Sequence, residues 1–406
     1  MTRGHGTVDS PYAWFRLVVA LTLSTIGGVG MWSVVVALPT AQAAFGVARG
    51  DASLPYTLAM LGFGAGSLLL GRVSDRFGIL VPVVVGTIAL AAGYAAAASA
   101  ASLWQYALAH GLLIGFGSAA TFAPLIAHMS LWFARRRGIA IGIFASGNYL
   151  AGAVWPPIVQ HFIDAAGWRE TYFGIAVFCA ATMLPLALAL RRPPPRHDAG
   201  GAGIEAGPGH AGALGLSPQA LQALLAAAGV ACCVAMAMPQ VHLVAYCGDL
   251  GYGAARGAQM LSLMLACGIV SRLTFGVICD RIGGLRTLLL GSTLQGVALV
   301  LFLPFDGLVS LYVISALFGL FQGGIVPSYA IVVREYFPGH EAGARVGVVI
   351  TATLFGMALG GWMSGAIYDL TGSYRAAFGN GLVWNLANVA IVSWLLRRAS
   401  PRPAPA

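Results

Sequence analysis

The chain has 406 residues, 58% of them hydrophobic and 9% charged, and a mean hydropathy of +0.82. A soluble globular protein carries about 25% charged residues, so this composition excludes that class and describes a protein whose solvent is a bilayer. The net charge is +9, and all 22 basic residues are arginine with lysine absent, which excludes a Walker A phosphate loop and a lysine Schiff base.

A membrane-spanning helix needs about 20 apolar residues. Twelve such stretches follow one another, at 15–38, 53–71, 79–100, 103–133, 138–161, 170–190, 217–246, 255–279, 285–304, 308–336, 346–369 and 376–396. The first apolar run, Phe15 to Pro39, is long enough to span and lacks a small-residue cleavage site, so it reads as a span and not as a cleaved signal. The runs 103–133 and 308–336 are long enough to project beyond the bilayer or to tilt. After the sixth span comes a stretch rich in Pro, Gly and Ala, 191–216, polar enough to lie in water. The predicted fold class is therefore an all-α membrane protein with 12 transmembrane helices in two six-helix bundles, 1–190 and 217–406, joined by that linker. The six cysteines all sit in apolar runs and read as buried thiols without disulfides.

Basic residues set orientation. With both termini in the cytoplasm, 17 arginines lie inside, only Arg49, Arg169, Arg256 and Arg375 lie outside, and Arg272 is in the membrane. This asymmetry predicts cytoplasmic ends and a basic face toward anionic lipid. It also accounts for the positive charge without nucleic acid as a partner.

The two halves repeat. Gly71-Arg-Val-Ser-Asp75-Arg76-Phe-Gly78 recurs as Gly276-Val-Ile-Cys-Asp280-Arg281-Ile-Gly283, and Asp164-Ala-Ala-Gly167 recurs as Asp369-Leu-Thr-Gly372. Trp132-Phe133 recurs as Tyr336-Phe337 at nearly the same spacing. Repeats of six spans keep their orientation, and such halves hold a substrate between them near the midplane.

The loop after the second span, with the twelve spans and the six-plus-six repeat, resembles the signature of the major facilitator superfamily. The segments Trp132-Phe-Ala-Arg135-Arg136-Arg137-Gly-Ile-Ala-Ile-Gly142, Val241-His242-Leu-Val-Ala-Tyr246-Cys-Gly-Asp249 and Ser271-Arg272-Leu-Thr-Phe-Gly276 are similar to fifth-, seventh- and eighth-helix segments of its bacterial monocarboxylate transporter and oxalate/formate antiporter group. The resemblance implies a secondary transporter working by alternating access, with 1–190 rocking against 217–406, and no enzyme activity. It further implies a gating latch of Gly71, Arg72, Asp75, Arg76 and Gly78, repeated at Asp280 and Arg281, and a substrate-binding role for Arg272. Animal members carry an acid where this chain has Gly268 and a lysine where it has Thr40, and both groups are tied to proton coupling there.

Arg272 is also singled out by its own chemistry. It lies in the apolar stretch Met260 to Cys279, with no other charge before Asp280. A guanidinium cannot shed its charge in a protein, and burying one in a span costs at least about 2.5 kcal/mol. All 13 acidic residues fall in loops or at span ends, so the expected counter-charge is an external carboxylate, which suits a planar, five-donor cation. Asn148, Gln322 and Tyr329 are polar residues in apolar helices and candidates to hydrogen-bond that ligand. Phe122, Trp155 and Trp362 are candidates to wall it in. His110, His128 and His242 are the titratable groups within spans, with His128 and His242 the candidates for a proton relay and His242 a candidate for substrate contact. The glycine groups Gly62, Gly64, Gly66; Gly142, Gly147, Gly152; and Gly356, Gly360, Gly361 read as surfaces of close helix packing.

The expected function is secondary transport of small organic anions, monocarboxylates first, by proton-linked uptake or anion exchange. The alternatives are a carrier of a larger organic anion or vitamin, and a copper importer using the Met236, Met238, Met260, Met264, Cys232, Cys233, Cys267 and His242 side chains. No resident metal or cofactor is expected. The expected partners are a small carboxylate, protons and membrane lipid, for a monomer in a bacterial inner membrane.

Overall fold

A computed structural model describes residues 8–192 and 214–399. Most of the 191–216 linker, along with Arg3, Arg196 and Arg402, lies outside the described residues. Twelve helices are long and apolar enough to cross a membrane: Pro11–Val36, Arg49–Phe77, Leu80–Ala98, Leu103–Met129, Gly138–Ala166, Trp168–Leu188, Pro218–Asp249, Ala254–Ile282, Gly284–Leu301, Leu308–Tyr336, Glu341–Thr371 and Tyr374–Arg398. They coincide with the twelve predicted stretches, most of them running a few residues further. Among the described residues there is no strand.

Several spans are interrupted where hydropathy alone shows continuous helix. The first breaks at Gly28. The fourth runs Leu103–Ala109, passes through a π-turn at His110–Gly115, then stops and resumes at Ala123–Met129. The fifth breaks at Ser146, and the tenth stops at Gln322 and resumes at Ile325. Both of the long runs contain such a break.

The repeat predicted from three motifs is written into the backbone. Positive-φ glycines occur in pairs 205 residues apart: 46 and 251, 78 and 283, 167 and 372. Left-handed backbone favours glycine, which has no Cβ to clash, so the same turns are built by the same residue type in both halves.

By internal packing the chain forms two compact units, Met1–Gly200 with His242–Ala266, and Gly201–Val241 with Cys267–Ala406. In the first, helices approach through glycine. A Cβ on Gly62 would land on the Gly111 carbonyl, and one on Gly66 would lie 2.8 Å from the Phe116 carbonyl oxygen. Gly147 and Gly152 are similarly crowded, whereas a Cβ on Gly142 would meet nothing within 4 Å; the close-packing expectation is corrected there. In the second unit a Cβ on Gly356 would lie 2.6 Å from the Val230 carbonyl oxygen, and Gly360 is likewise pressed against Val234. Phe302 and Phe378 stack with centroids 4.6 Å apart.

Two carboxylates cap backbone N–H groups at helix starts. Glu335 accepts the Gly284 N–H with both oxygens, at 3.0 and 3.2 Å, at the N-terminus of the ninth helix, where the helix dipole favours negative charge. Glu335→Ala is expected to lower stability by about 1 kcal/mol, read as a lower thermal unfolding midpoint in detergent. Asp9, with φ 57°, accepts the N–H groups of Ala134, Arg135 and Arg136 at 3.3, 3.0 and 3.4 Å. The Arg135 N–H, with the other two, holds the Asp9 carboxyl below the usual carboxylate range. A depressed folded-state value means that the contact contributes fully above the unfolded-state pKa and is lost as pH falls through the folded-state one. Amide exchange at Arg135 is therefore expected to accelerate, relative to the intrinsic rate, on acidification through that window. In Asp9→Asn this acid-induced step disappears.

Candidate substrate site

Arg272 sits on the eighth helix, Ala254–Ile282, half-buried between buried Ser271 and exposed Leu273. Its Nε donates to the Gly323 carbonyl at 3.4 Å. The guanidinium is therefore not the unpartnered cation expected from sequence. The tenth helix ends one residue earlier, at Gln322. Gly323 has to be glycine, because a Cβ there would collide with the Gly268 carbonyl and lie 2.8 Å from Ser271 Cβ. The close approach at Gly323 thus collects Ser271 and Arg272 from the eighth helix and adjoins Gln322 of the tenth.

Gln322 is fully buried, and its Oε1 accepts from Gln240 Nε2 at 2.9 Å. Gln240 follows Pro239 in the seventh helix, Pro218–Asp249; sequence reading passed it over. Tyr329 is also fully buried, and its hydroxyl is bonded to Asn388 Nδ2 at 2.5 Å, while that amide also donates to the Ala228 carbonyl. Its phenol is thus tied into the packing of the second unit. Trp362 on the eleventh helix is 41% exposed.

The remaining candidates belong to the first unit. Asn148 is half-buried and its carbonyl accepts from Trp32 Nε1 at 3.2 Å. Phe122 is half-buried, tilted against Phe63 and Phe144 with centroids 6.1 and 6.4 Å away. Trp155 Nε1 donates to the Thr25 carbonyl at 2.7 Å. His242 is fully buried. His110, at the head of the π-turn, donates Nδ1–H to the Tyr106 carbonyl at 2.9 Å and meets the Tyr172 hydroxyl at 3.4 Å.

His128 is held by a second intramembrane arginine. Arg16, assigned to the basic face from sequence, lies within the first span and is fully buried. Its Nη2 is 2.7 Å from His128 Nε2 and also donates to the Leu190 carbonyl at 3.0 Å. Its Cζ stands 4.3 Å from the centroid of the Trp132 ring, a cation–π distance. Trp132 Nε1 donates to the same His128 nitrogen at 3.2 Å. His128 Nε2 is therefore an acceptor for both neighbours. The signal in the sequence was weak: Arg16 is the second residue of the apolar run that begins at Phe15, whereas Arg272 lies deep inside its own.

At the Arg49 end of the first unit, Arg49 makes a bidentate pair with Asp249, Nη1–Oδ2 3.1 Å and Nη2–Oδ1 3.3 Å, and its Nε donates to Gln42 Oε1. The Arg49 side chain is 7% exposed and that of Asp249 37%. Nothing in either local sequence announces a pair between residues 200 positions apart.

Of the expected latch, Arg72, Asp75, Arg76, Gly78, Asp280 and Arg281 are exposed and Gly71 half-buried. Gly78 and Gly283 end their helices with φ 79° and 82°. Among the described residues neither Asp75 nor Asp280 forms an ion pair.

The family model of the Major Facilitator Superfamily matches residues 20–308 and 223–406. Monocarboxylate transporter 13 of Bos taurus is 30% identical over 328 residues, covering 77% of this chain and 72% of the relative. Monocarboxylate transporter 11 of Homo sapiens is 28% identical over 396 residues, covering 92% and 80%. A crystal structure of a bacterial homologue of the human lysosomal transporter Spinster, inward-facing and unoccupied, superposes with a TM-score of 0.69 over 96% of both chains at 16% identity, a likeness of fold. Twelve apolar helices, a doubled set of glycine turns and these matches lead to one conclusion: the chain belongs to the Major Facilitator Superfamily and is a multi-pass membrane transporter, not an enzyme.

Proposed function

We propose that the chain moves small monocarboxylates by alternating access, with Arg272 as the counter-charge. The observation that carries this reading is the position of Arg272 within an apolar span, half-buried and beside the break in the tenth helix. A charge kept at such cost marks a solute pathway. Relatives named monocarboxylate transporters support the substrate class. Transport is by proton-linked uptake or anion exchange, since a carboxylic acid can carry its own proton. Asn148, His242, Gln322, Tyr329, Phe122 and Trp362 are kept as candidate contacts, and Asp75 and Asp280 with their arginines as the latch. The arginine asymmetry supports cytoplasmic termini, and arginine in place of every lysine supports a bacterial inner membrane.

The test is thermal stabilisation of the purified protein by lactate, pyruvate, formate, oxalate, benzoate, riboflavin and Cu(I) in turn, since a ligand of the folded state raises the midpoint by mass action. Stabilisation by a monocarboxylate in wild type, absent in Arg272→Ala, is the expected outcome. Stabilisation by Cu(I) alone would favour the second reading. That reading draws on one contact, Cys247 Sγ to Met260 Sδ at 3.5 Å, a soft pair suited to Cu(I). Among the described residues no group of three or more His, Cys, Asp or Glu could hold a metal.

A further inference from the structure

Beside Arg272 lie two polar groups that nothing in the packing explains. Gln322 Nε2 and Ser271 Oγ are buried and have no hydrogen-bond partner among the described residues. Buried polar groups are nearly always paired, and each orphan costs free energy that folding must offset. Both stand at one place. Ser271 packs on Gly323, Arg272 donates to the Gly323 carbonyl, and Gln322 is the residue before it.

The orientation of the Gln322 amide is set from outside. Gln240 Nε2 donates at 2.9 Å to Gln322 Oε1, and an oxygen engaged as acceptor leaves the NH2, in the same amide plane, on the other side of the Cγ–Cδ bond. Gln240 thereby fixes which side of the Gln322 amide is the donor, one residue from the Gly323 carbonyl that Arg272 holds. A carboxylate bound to the guanidinium fork uses the cation. The two neutral donors beside it suit a neutral acceptor, an oxygen on the carbon next to the carboxylate.

We infer that Gln240 is a positioning residue that holds the amide of Gln322 donor-outward, and that Gln322 Nε2 with the Ser271 hydroxyl selects carboxylates bearing a second oxygen at the neighbouring carbon. This rests on the reading that Arg272 binds the carboxylate. A site whose buried donors go unmet by the wrong ligand discriminates strongly against it.

The experiment is counterflow in proteoliposomes of the full chain, comparing lactate and pyruvate with propionate, which has the same chain length and lacks the second oxygen. Wild type is expected to favour the oxygenated acids by about tenfold or more in KM, the size of one well-met hydrogen bond. In Gln240→Leu the Gln322 amide is free to turn, and the preference falls. In the double variant Gln240→Leu/Gln322→Leu both amides leave together, so no new orphan is made and the fold is retained; there the preference falls to the smaller share that the Ser271 hydroxyl supplies alone. Ser271→Ala gives a partial fall. An unchanged preference in the double variant overturns the inference, as does a parallel rise in KM for all three acids, the signature of a purely structural role. Wild type transporting all three alike would overturn it while leaving the carboxylate reading intact. Wild type transporting none of them would bring down that reading and this inference with it.

Discussion

Arg272→Ala is expected to abolish carboxylate counterflow, by at least about 100-fold, while the protein still inserts and unfolds cooperatively at a similar temperature. The first half follows from charge. Truncating one partner of a desolvated charge pair costs about 2–5 kcal/mol, and a bound carboxylate facing a neutral cavity has lost its counter-ion. The second half follows from burial. A guanidinium in an apolar span is itself a burden of at least about 2.5 kcal/mol, so its removal relieves the helix even as the 3.4 Å bond to Gly323 is lost. Loss of transport with retained stability is the signature of a binding residue; a structural one fails in the opposite sense. Arg272→Lys keeps the charge but not the planar fork, and is expected to retain weak transport with a raised KM. Equal transport by the alanine variant would remove the claim.

Asp249→Ala is expected to lower stability by roughly 2–3 kcal/mol. Breaking a buried pair costs about 3–5 kcal/mol because one charge is left uncompensated. Here Arg49 is the one left, and it is 7% exposed, but Asp249 is 37% exposed and already partly screened, which lowers the figure. Gln42 remains on Nε and cannot neutralise the charge. The measurement is thermal or denaturant unfolding followed by tryptophan fluorescence. Arg49→Met/Asp249→Leu removes both charges at similar volume and is expected to recover most of the loss, since apolar replacement of a buried pair is often neutral or better. A double variant as unstable as the single one would mean that Asp249 acts through something other than Arg49.

Much of this fold could be read from the chain because the bilayer imposes its own length. Twelve runs of about 20 apolar residues became twelve helices within a few residues at most ends. What hydropathy cannot see is interruption. Gly28, the turn at 120–122, Ser146 and the pair Gly323–Gly324 all break helices inside runs that stay apolar throughout. The candidate site was legible in one residue, Arg272, because an isolated charge among apolar neighbours needs no partner to be noticed. Arg16 met that criterion only weakly and was assigned to the water-facing charges because it stands so close to the start of its run. Asp249 and Gln240 were silent for a different reason. Each acquires its meaning from a residue far along the chain, Arg49 and Gln322, and a pairwise contact leaves no mark on either local sequence.

The glycine turns at 46 and 251, 78 and 283, 167 and 372 share one offset, and that has a consequence for how this chain came to be. A single residue gained or lost between Gly46 and Gly167 without a matching change between Gly251 and Gly372 would have thrown the count out. The intervening helices and loops therefore have identical total lengths in both copies, while their side chains have diverged as far as Ser67 opposite Arg272. Tandem duplication followed by drift in identity, with only compensated changes in length such as the one that leaves Trp132 and Tyr336 one residue out of step, is the history this implies. It locates the asymmetry between the halves, such as Ser67 against Arg272, in point substitutions on two copies whose glycine turns keep one spacing.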